Sequence, residues 1–367
     1  MKIKKNLWWL GGAVLVFLAI VISIAWFGRE KTEDKVKIGV ILPGALSEPG
    51  WNGAHYEGIR QSCEALGAEL VVCENVPEYS GKCELAVQEL AECGVNAIFL
   101  ESYNYPDEIG DTIRNYPEIA FYCCSSDIDA VNYTPYFARV YQARYLSGVV
   151  AGMKTETGYI GYVAAMDNNE VNRGLNAFAL GVRSVNKDAK IHVMYTGSWD
   201  DSEKEMYEAE TLVKECNADV LAYHQNRPFV VDAAVKLGVD VIGYNIGQVS
   251  RSPHMLTSVV SNWNMVYREI IRDYILNKEV GTDYYWIGIE KDAVSLSFYS
   301  DTVSSEIRDA VEQTKNQLMN NREVFSGLIY DNTGAVRCND NEVIRDEILL
   351  QKMNWLVEGV EVYEDKE

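Results

Sequence analysis

Lys37-Ile-Gly-Val-Ile-Leu42, Pro43-Gly-Ala-Leu-Ser-Glu-Pro-Gly50 and Trp51 follow one another without a break: a short apolar run, a Pro/Gly loop, and a large aromatic that opens an amphipathic helix. An apolar run bounded by turn residues reads as a strand of a parallel sheet, buried on both faces. In an open α/β sheet, ligands bind outside the carboxyl ends of the strands, so the loop after the first strand is a wall of that crevice. Trp51 stands on the wall and calls for a flat partner.

The same alternation continues on the C-terminal side. Glu69–Cys73, Ala97–Leu100 and Ile119–Cys123 are further strand-like runs, and Lys82–Cys93 between them is helical and stops at Gly94. A second series begins with the helix Tyr141–Lys154. It runs through strand Tyr159–Ala164, helix Glu170–Val185, strand Lys190–Tyr195, helix Ser202–Cys216, strand Asp219–Tyr223, helix Phe229–Leu237 and the strands Asp240–Tyr244 and Met255–Val260. Strands alternating with helices of this length imply βαβ units, and two doubly wound halves fit better than one giant sheet. A helix at Trp263–Leu276, a strand near Tyr285–Leu296 and a helix at Ser304–Met319 return the chain to both halves, and Phe325–Gly334 reads as a hairpin turning at Asp331–Gly334. No repeat or low-complexity tract interrupts the pattern.

On the N-terminal side, Lys2, Lys4 and Lys5 precede an apolar run from Leu7 to Phe27. About 20 apolar residues suffice to span a bilayer, whereas signal-peptide cores are roughly 7–15 long, so residues 1–29 are expected to be a signal anchor or signal peptide, with the uncleaved anchor favoured. Ser23 and Ala25 offer a cleavage site after Ala25. Trp8, Trp9 and Trp26 are interface aromatics of this segment. The basic residues keep the N-terminus inside and place the rest at the extracytoplasmic face of the cell membrane.

The 367 residues carry a formal charge of −21, which excludes nucleic acid as a partner because phosphate backbones are bound through Lys and Arg. The 8 cysteines form no C-x-x-C pair, and with 4 histidines no zinc-type spacing is present, so neither a metal nor a cofactor is expected. Cys73, Cys123 and Cys124 read as small buried hydrophobes. Disulfides among the others are permitted in this compartment.

The residues just after each strand supply the crevice. The first half offers Glu48 and Trp51, then Asn75 and Glu78, then Ser102, Tyr103 and Asn104, then Ser125, Ser126 and Asp127. The second offers Asp167, Asn168 and Asn169, then Trp199, Asp200 and Asp201, then His224, Gln225 and Asn226, then Asn245 and Gln248, and last Ser261, Asn262 and Trp263. G-x-S-x-G, G-x-G-x-x-G and G-x-x-x-x-G-K are all absent, so no nucleophile, dinucleotide or triphosphate site is indicated, and the protein reads as a non-enzyme. Amides predominate, which suits a neutral, heteroatom-rich ligand, and Trp51 and Trp199 on opposite halves could clamp a flat ring. Competing structural readings stand beside these: Asp200, Asp201 and Ser202 as helix caps, Glu48 as a solvated turn residue, His224 as a structural histidine, and Trp263 as core.

Tyr136-Phe-Ala-Arg-Val-Tyr-Gln-Ala-Arg-Tyr-Leu-Ser-Gly-Val-Val-Ala-Gly152, Ile160–Val163, Glu170–Phe178 and Gly181–Asn186 closely resemble the basic membrane protein family. So do Glu74–Glu78, Gly197–Asp200, Ala218–Val220, Ile242–Asn245, Leu256–Val259 and Trp355–Gly359. These are substrate-binding proteins of ABC transporters related to purine nucleoside receptor lipoproteins, and the resemblance covers about residues 36–360. It implies a type I periplasmic-binding-protein fold, two Rossmann-like lobes joined by three crossing segments and closing on ligand by a hinge. Residues 36–137 plus about 263–286 are expected to form an N-lobe and 138–262 plus about 287–360 a C-lobe, with a charged linker at 30–35 and an acidic tail at 361–367. The resemblance also makes Trp51 the ring-stacking aromatic of the N-lobe and Trp199 its C-lobe counterpart.

Asn245 and Ser261 fall where nucleoside binders have the aspartate and lysine that hold ribose, and Ser125–Asp127 replaces the purine-reading segment. A free base or another flat heterocycle is therefore as compatible as a nucleoside. The expected ligand-binding set is Trp51, Trp199, Glu48, Asn75, Ser102, Tyr103, Ser125, Asn168, His224, Asn245 and Ser261. The expected partners are a purine base or nucleoside, an ABC transporter permease, and the membrane through the N-terminal helix. A sensory ectodomain of the same fold, or a binder of another heterocycle or a sugar, is the alternative.

Overall fold

The structure, a computed structural model, describes residues 35–48, 50–124, 128–245, 252–277, 284–320 and 322–364. The chain divides into Met1–Val36 and Lys37–Glu367, and the architecture below belongs to the second unit. The expected N-terminal anchor lies outside the described residues. Among those described, no helix is long and apolar enough to cross a membrane.

The first lobe begins β1 (Lys37–Ile41), α1 (Trp51–Leu66), β2 (Glu69–Cys73), α2 (Lys82–Glu92), β3 (Ala97–Leu100), α3 (Tyr105–Asn115), β4 (Ala120–Cys124), β5 (Tyr133–Ala138). The chain then crosses into α4 (Val140–Lys154), β6 (Tyr159–Ala164), α5 (Asn169–Val185), β7 (Lys190–Tyr195), α6 (Ser202–Cys216), β8 (Val220–His224), α7 (Phe229–Leu237), β9 (Asp240–Tyr244) and β10 (Met255–Ser261). It returns through α8 (Trp263–Asn277) and β11 (Tyr285–Ile287), then crosses again to β12 (Val294–Leu296) and α9 (Ser305–Met319). The hairpin β13 (Ile329–Tyr330) and β14 (Val336–Cys338), α10 (Asp346–Gln351) and β15 (Val360–Val362) complete it.

The strands form a six-stranded sheet in the order β11-β5-β4-β3-β1-β2 and a seven-stranded sheet in the order β12-β10-β9-β8-β6-β7-β15. All neighbours in the first are parallel, and β12 is the antiparallel exception in the second. The chain thus passes between sheets three times, after Ala138, after Ser261 and after Ile287. Ile38, Val40, Ile98, Phe99 and Phe121 are fully buried, as strands covered by helices on both faces require. This is the α/β, two-lobed periplasmic-binding-protein architecture.

Two close helix contacts fix how the lobes are built. A Cβ on Gly58 of α1 would lie 2.5 Å from the Cβ of Trp263, so α8 packs directly on the backbone of α1. On the other side, a Cβ on Gly148 would lie 2.1 Å from the Phe178 carbonyl, which lets α4 and α5 meet backbone to backbone.

Three readings need correction. The strand near Tyr285–Leu296 is two strands in different sheets, separated by a 3₁₀ turn at Ile289–Lys291 with Asp292 left-handed at φ 55. It cannot be one strand because the chain changes lobe there. The acidic tail starts later than residue 361, since Glu361 and Val362 pair with His192 and Val193 in β15 and Glu361 meets Lys190 at 2.7 Å. Finally, β5, which carries part of the family-like motif, is a strand that the apolar pattern of the sequence does not reveal. Its Pro135 and three tyrosine or phenylalanine neighbours mask the apolar pattern.

All eight cysteines carry free thiols, with Cys123 and Cys124 buried and Cys73 half-buried. Burial pushes the Cys63 thiol up to about 12 and the Cys73 thiol up to about 11. A protonated, buried thiol is inert, so these behave as small hydrophobes.

Candidate functional site

A cavity of about 430 Å³ opens between the carboxyl ends of the two sheets. That volume suits a molecule of one or two rings. The first lobe lines it with Pro43, Gly44, Glu48, Trp51 and Asn52 after β1, Asn75, Pro77 and Glu78 after β2, Glu101, Ser102 and Tyr103 after β3, and Cys124 of β4. The second lobe adds Glu170 of α5, Trp199 and Asp200 after β7, His224 and Asn226 at the end of β8, and Tyr244 of β9.

Trp51 is fixed from behind. Its indole Nε1–H donates to the Glu101 carbonyl at 2.8 Å, and its ring lies 4.1 Å from His55 and 5.7 Å, edge-on, from Trp263. His55 in turn stacks 3.8 Å from Trp263. Beneath these rings, the wholly buried Glu101 carboxylate accepts from Tyr136 Oη at 2.6 Å and meets His55 Nδ1 at 2.6 Å, while Tyr267 bonds His55 and Tyr136. A buried carboxylate is costly unless its lone pairs are taken up, and here several side chains take them up. Trp263 therefore belongs to the core, as its 1% exposure shows.

No metal-type spacing joins them along the chain, yet the fold brings His55, Glu101 and Cys124 together with ligand atoms within 4.8 Å of one another. His55 and Glu101 are already bonded to each other, and burial holds the Cys124 thiol well above its ordinary range. The group reads as a hydrogen-bonded support for Trp51 rather than a metal centre.

On the opposite wall, Trp199 stands edge-on to His224 at 6.0 Å, and His224 edge-on to Tyr244 at 4.8 Å. Arg144, wholly buried, lies 4.2 Å over Tyr244 and donates to the Tyr223 carbonyl at 2.8 Å. Burial first, and then the positive charges of Arg144 and Arg173, hold His224 well below the usual imidazole range. It is neutral at physiological pH, so its 3.8 Å approach to Glu170 is not an ion pair. Burial raises the Glu78 carboxyl, partly offset by the Asn104 amide that donates to it at 2.8 Å.

Of the expected ligand set, Trp51, Trp199, Glu48, Asn75, Ser102, Tyr103 and His224 line this one cavity. Asn168 does not. It caps α5, its Oδ1 accepting from Val171 N–H at 2.9 Å. Asn245 and Ser261 line a separate hollow of about 380 Å³ against Gly53, Ala54 and Gly58 of α1, which shares Glu48 with the main cavity. Ser125, with Ser126 and Asp127, lies outside the described residues.

The capping question divides: Asp201 caps α6 through Lys204 N–H at 3.1 Å, whereas Asp200 faces the cavity and pairs with Arg227 at 2.9 Å. Lining residues named neither in the expected set nor among the strand-end candidates include Glu101, Cys124, Glu170 and Tyr244. Glu101 follows β3 directly and Cys124 and Tyr244 end their strands, so starting one residue earlier at each strand end would have found them.

The family described as ABC transporter substrate-binding protein PnrA-like matches residues 35–331. A purine-binding protein of Brucella abortus is 27% identical over 349 residues, 93% of this chain and 98% of that protein. A Haloferax volcanii protein, provisionally named an ABC transporter glucose-binding protein, is 30% identical over 337 residues, 91% of this chain and 82% of its own. Among solved structures, a transcriptional activator of the comK gene from Bacillus halodurans superposes with a TM-score of 0.67 at 23% identity. It covers 77% of this chain and 97% of its own, and supports the fold.

Proposed function

Because this chain belongs to the PnrA-like family of ABC transporter substrate-binding proteins, we propose that it binds a purine nucleobase or nucleoside in the inter-lobe cavity and hands it to a permease. The family is one of solute receptors, and the reading extends this to a non-catalytic protein held at the extracytoplasmic face of the cell membrane by its N-terminal segment. The observation that carries the ligand reading is a pair of indoles, Trp51 and Trp199, contributed by opposite lobes to one cavity. Offset stacking contributes about 0.5–1.5 kcal/mol per aromatic pair beyond area burial, so a two-sided clamp favours flat rings over puckered ones. The Brucella relative named for purine binding supports the same reading.

The test is a thermal shift and titration against adenine, guanosine, inosine and glucose. A specific ligand at a hundredfold excess over Kd should stabilise the protein by about 2.7 kcal/mol. Stabilisation by glucose and by no purine would replace this reading with the sugar one that the Haloferax relative's name suggests.

A further inference from the structure

Five carboxylates line the cavity, Glu48, Glu78, Glu101, Glu170 and Asp200, and among its described lining residues there is no lysine or arginine. Most have compensation close by. Asp200 pairs with Arg227 at 2.9 Å, and Glu101 with His55 at 2.6 Å and the Tyr136 hydroxyl. Glu170 sits on the wall that Arg144 and Arg173 back, the two arginines whose charge His224 feels.

Glu48 and Glu78 differ. Glu48 accepts from the Asn52 amide at 2.9 Å and Glu78 from the Asn104 amide at 2.8 Å, and among the described residues neither meets a basic side chain. An amide orients a carboxylate without neutralising it. Both carboxylates therefore stand in the cavity beside the two indoles without a basic partner, and an entering cation would relieve the burial that raises the Glu78 carboxyl. The Tyr244 hydroxyl, on a lining residue only 3% exposed, is also buried without a partner, a further polar group left to the ligand.

We propose that the clamp selects a ring carrying positive charge, an N-alkylated purine or comparable cationic heterocycle, over its neutral parent and over any phosphorylated form. This rests on the reading of the cavity as a ring-stacking site. A cation over an indole face is attracted by the ring quadrupole, and desolvation strengthens that attraction. Glu48 and Glu78 act in the same direction by Coulomb attraction, and accept from N–H donors on the ring edge. A phosphate would bring added negative charge into the same acidic space and be repelled. The substrate would therefore have to be supplied by a phosphomonoester-hydrolysing step where it originates in a nucleotide.

The experiment is a titration of intrinsic tryptophan fluorescence with two matched pairs: guanosine and 7-methylguanosine, nicotinamide and 1-methylnicotinamide. Guanosine 5′-monophosphate is the anionic control. The cationic member of each pair should bind about tenfold tighter than its neutral parent, and the monophosphate about tenfold weaker than guanosine. In Glu48→Gln/Glu78→Gln, and more weakly in Glu48→Gln alone, the ratio within each pair should fall toward one, with a melting curve confirming the fold. Equal affinity within the pairs, or a monophosphate that binds as well as guanosine, overturns the inference. If neither purine binds but 1-methylnicotinamide still outbinds nicotinamide, the purine reading fails and the charge preference stands. If no probe binds, both fall.

Discussion

Trp51 is both a wall of the cavity and a strut of the lobe behind it. One face is open to ligand, while its Nε1–H on Glu101 and its contact with His55 tie it to the buried network. Among the described residues, the one ring contact of the Trp199 indole is edge-on to His224, and its backbone carbonyl accepts from Asn226 N–H at 2.9 Å. Removing either indole should weaken ligand binding by a hot-spot amount, about 2 kcal/mol or roughly thirtyfold. The two variants should differ in stability: Trp51→Ala should also lower unfolding free energy by about 1–3 kcal/mol, whereas Trp199→Ala should leave it nearly unchanged. Trp51→Phe keeps a stacking face but loses the bond to the Glu101 carbonyl. Titration and denaturant melts on the three variants separate the two roles, and equal melts for Trp51→Ala and Trp199→Ala would contradict the strut.

At the scale of elements, most of the alternation was legible because buried parallel strands are short apolar runs and their helices are amphipathic. The indoles, Glu48 and Asn75 were legible because residues just after parallel strands stand at the crevice, whereas Asn168, at an equivalent strand end, is taken up as a helix cap. The support of Trp51 was not. His55, Glu101, Tyr136 and Tyr267 come from α1, the end of β3, β5 and α8, and only the close seating of α8 on Gly58 assembles them. Gly58→Val should overpack that seam, cost about 1–3 kcal/mol of stability and disturb ligand binding through Trp51, measured by melt and titration together.

The first turn of α6 carries a second consequence. Glu205 is wholly buried, its Oε2 unpartnered, and burial raises its carboxyl to about 8. The folded state therefore holds this proton more tightly than the unfolded chain does. Its contribution is most favourable below the unfolded carboxyl range and declines as pH rises from about 4.5 to about 8. Glu205→Gln should flatten that decline and stabilise the protein above about pH 8, read as melting temperature across the range. An unchanged pH profile would show that the carboxyl is not buried as a proton-binding group.

For the whole molecule, three crossings join the lobes, a connectivity that permits hinge closure, and backbone contacts bridge them. The clearest is at the mouth of the cavity. Trp51 N–H of the first lobe reaches the Asn226 carbonyl of the second at 3.4 Å, next to Gly50 at φ 102 and ψ −131. That backbone conformation belongs to glycine, and a Cβ there would sit 2.1 Å from the same Asn226 oxygen.

Gly50→Ala thus meets two penalties that differ in kind. The backbone strain, about 1–3 kcal/mol, is local to one loop. The collision exists only while the second lobe is near, and opening the hinge removes it. The substitution should therefore shift the population toward an open form without unfolding either lobe, and apparent affinity should fall by the fraction of closed protein lost, since the apparent Kd is the intrinsic Kd divided by the competent fraction. Small-angle scattering should show a larger radius of gyration for the unliganded variant, converging on the wild-type value at saturating ligand. Equal radii with weakened binding would place the defect in the loop carrying Trp51 instead of in closure. Unchanged affinity would mean that the Gly50–Asn226 approach is no part of the closed, ligand-holding state.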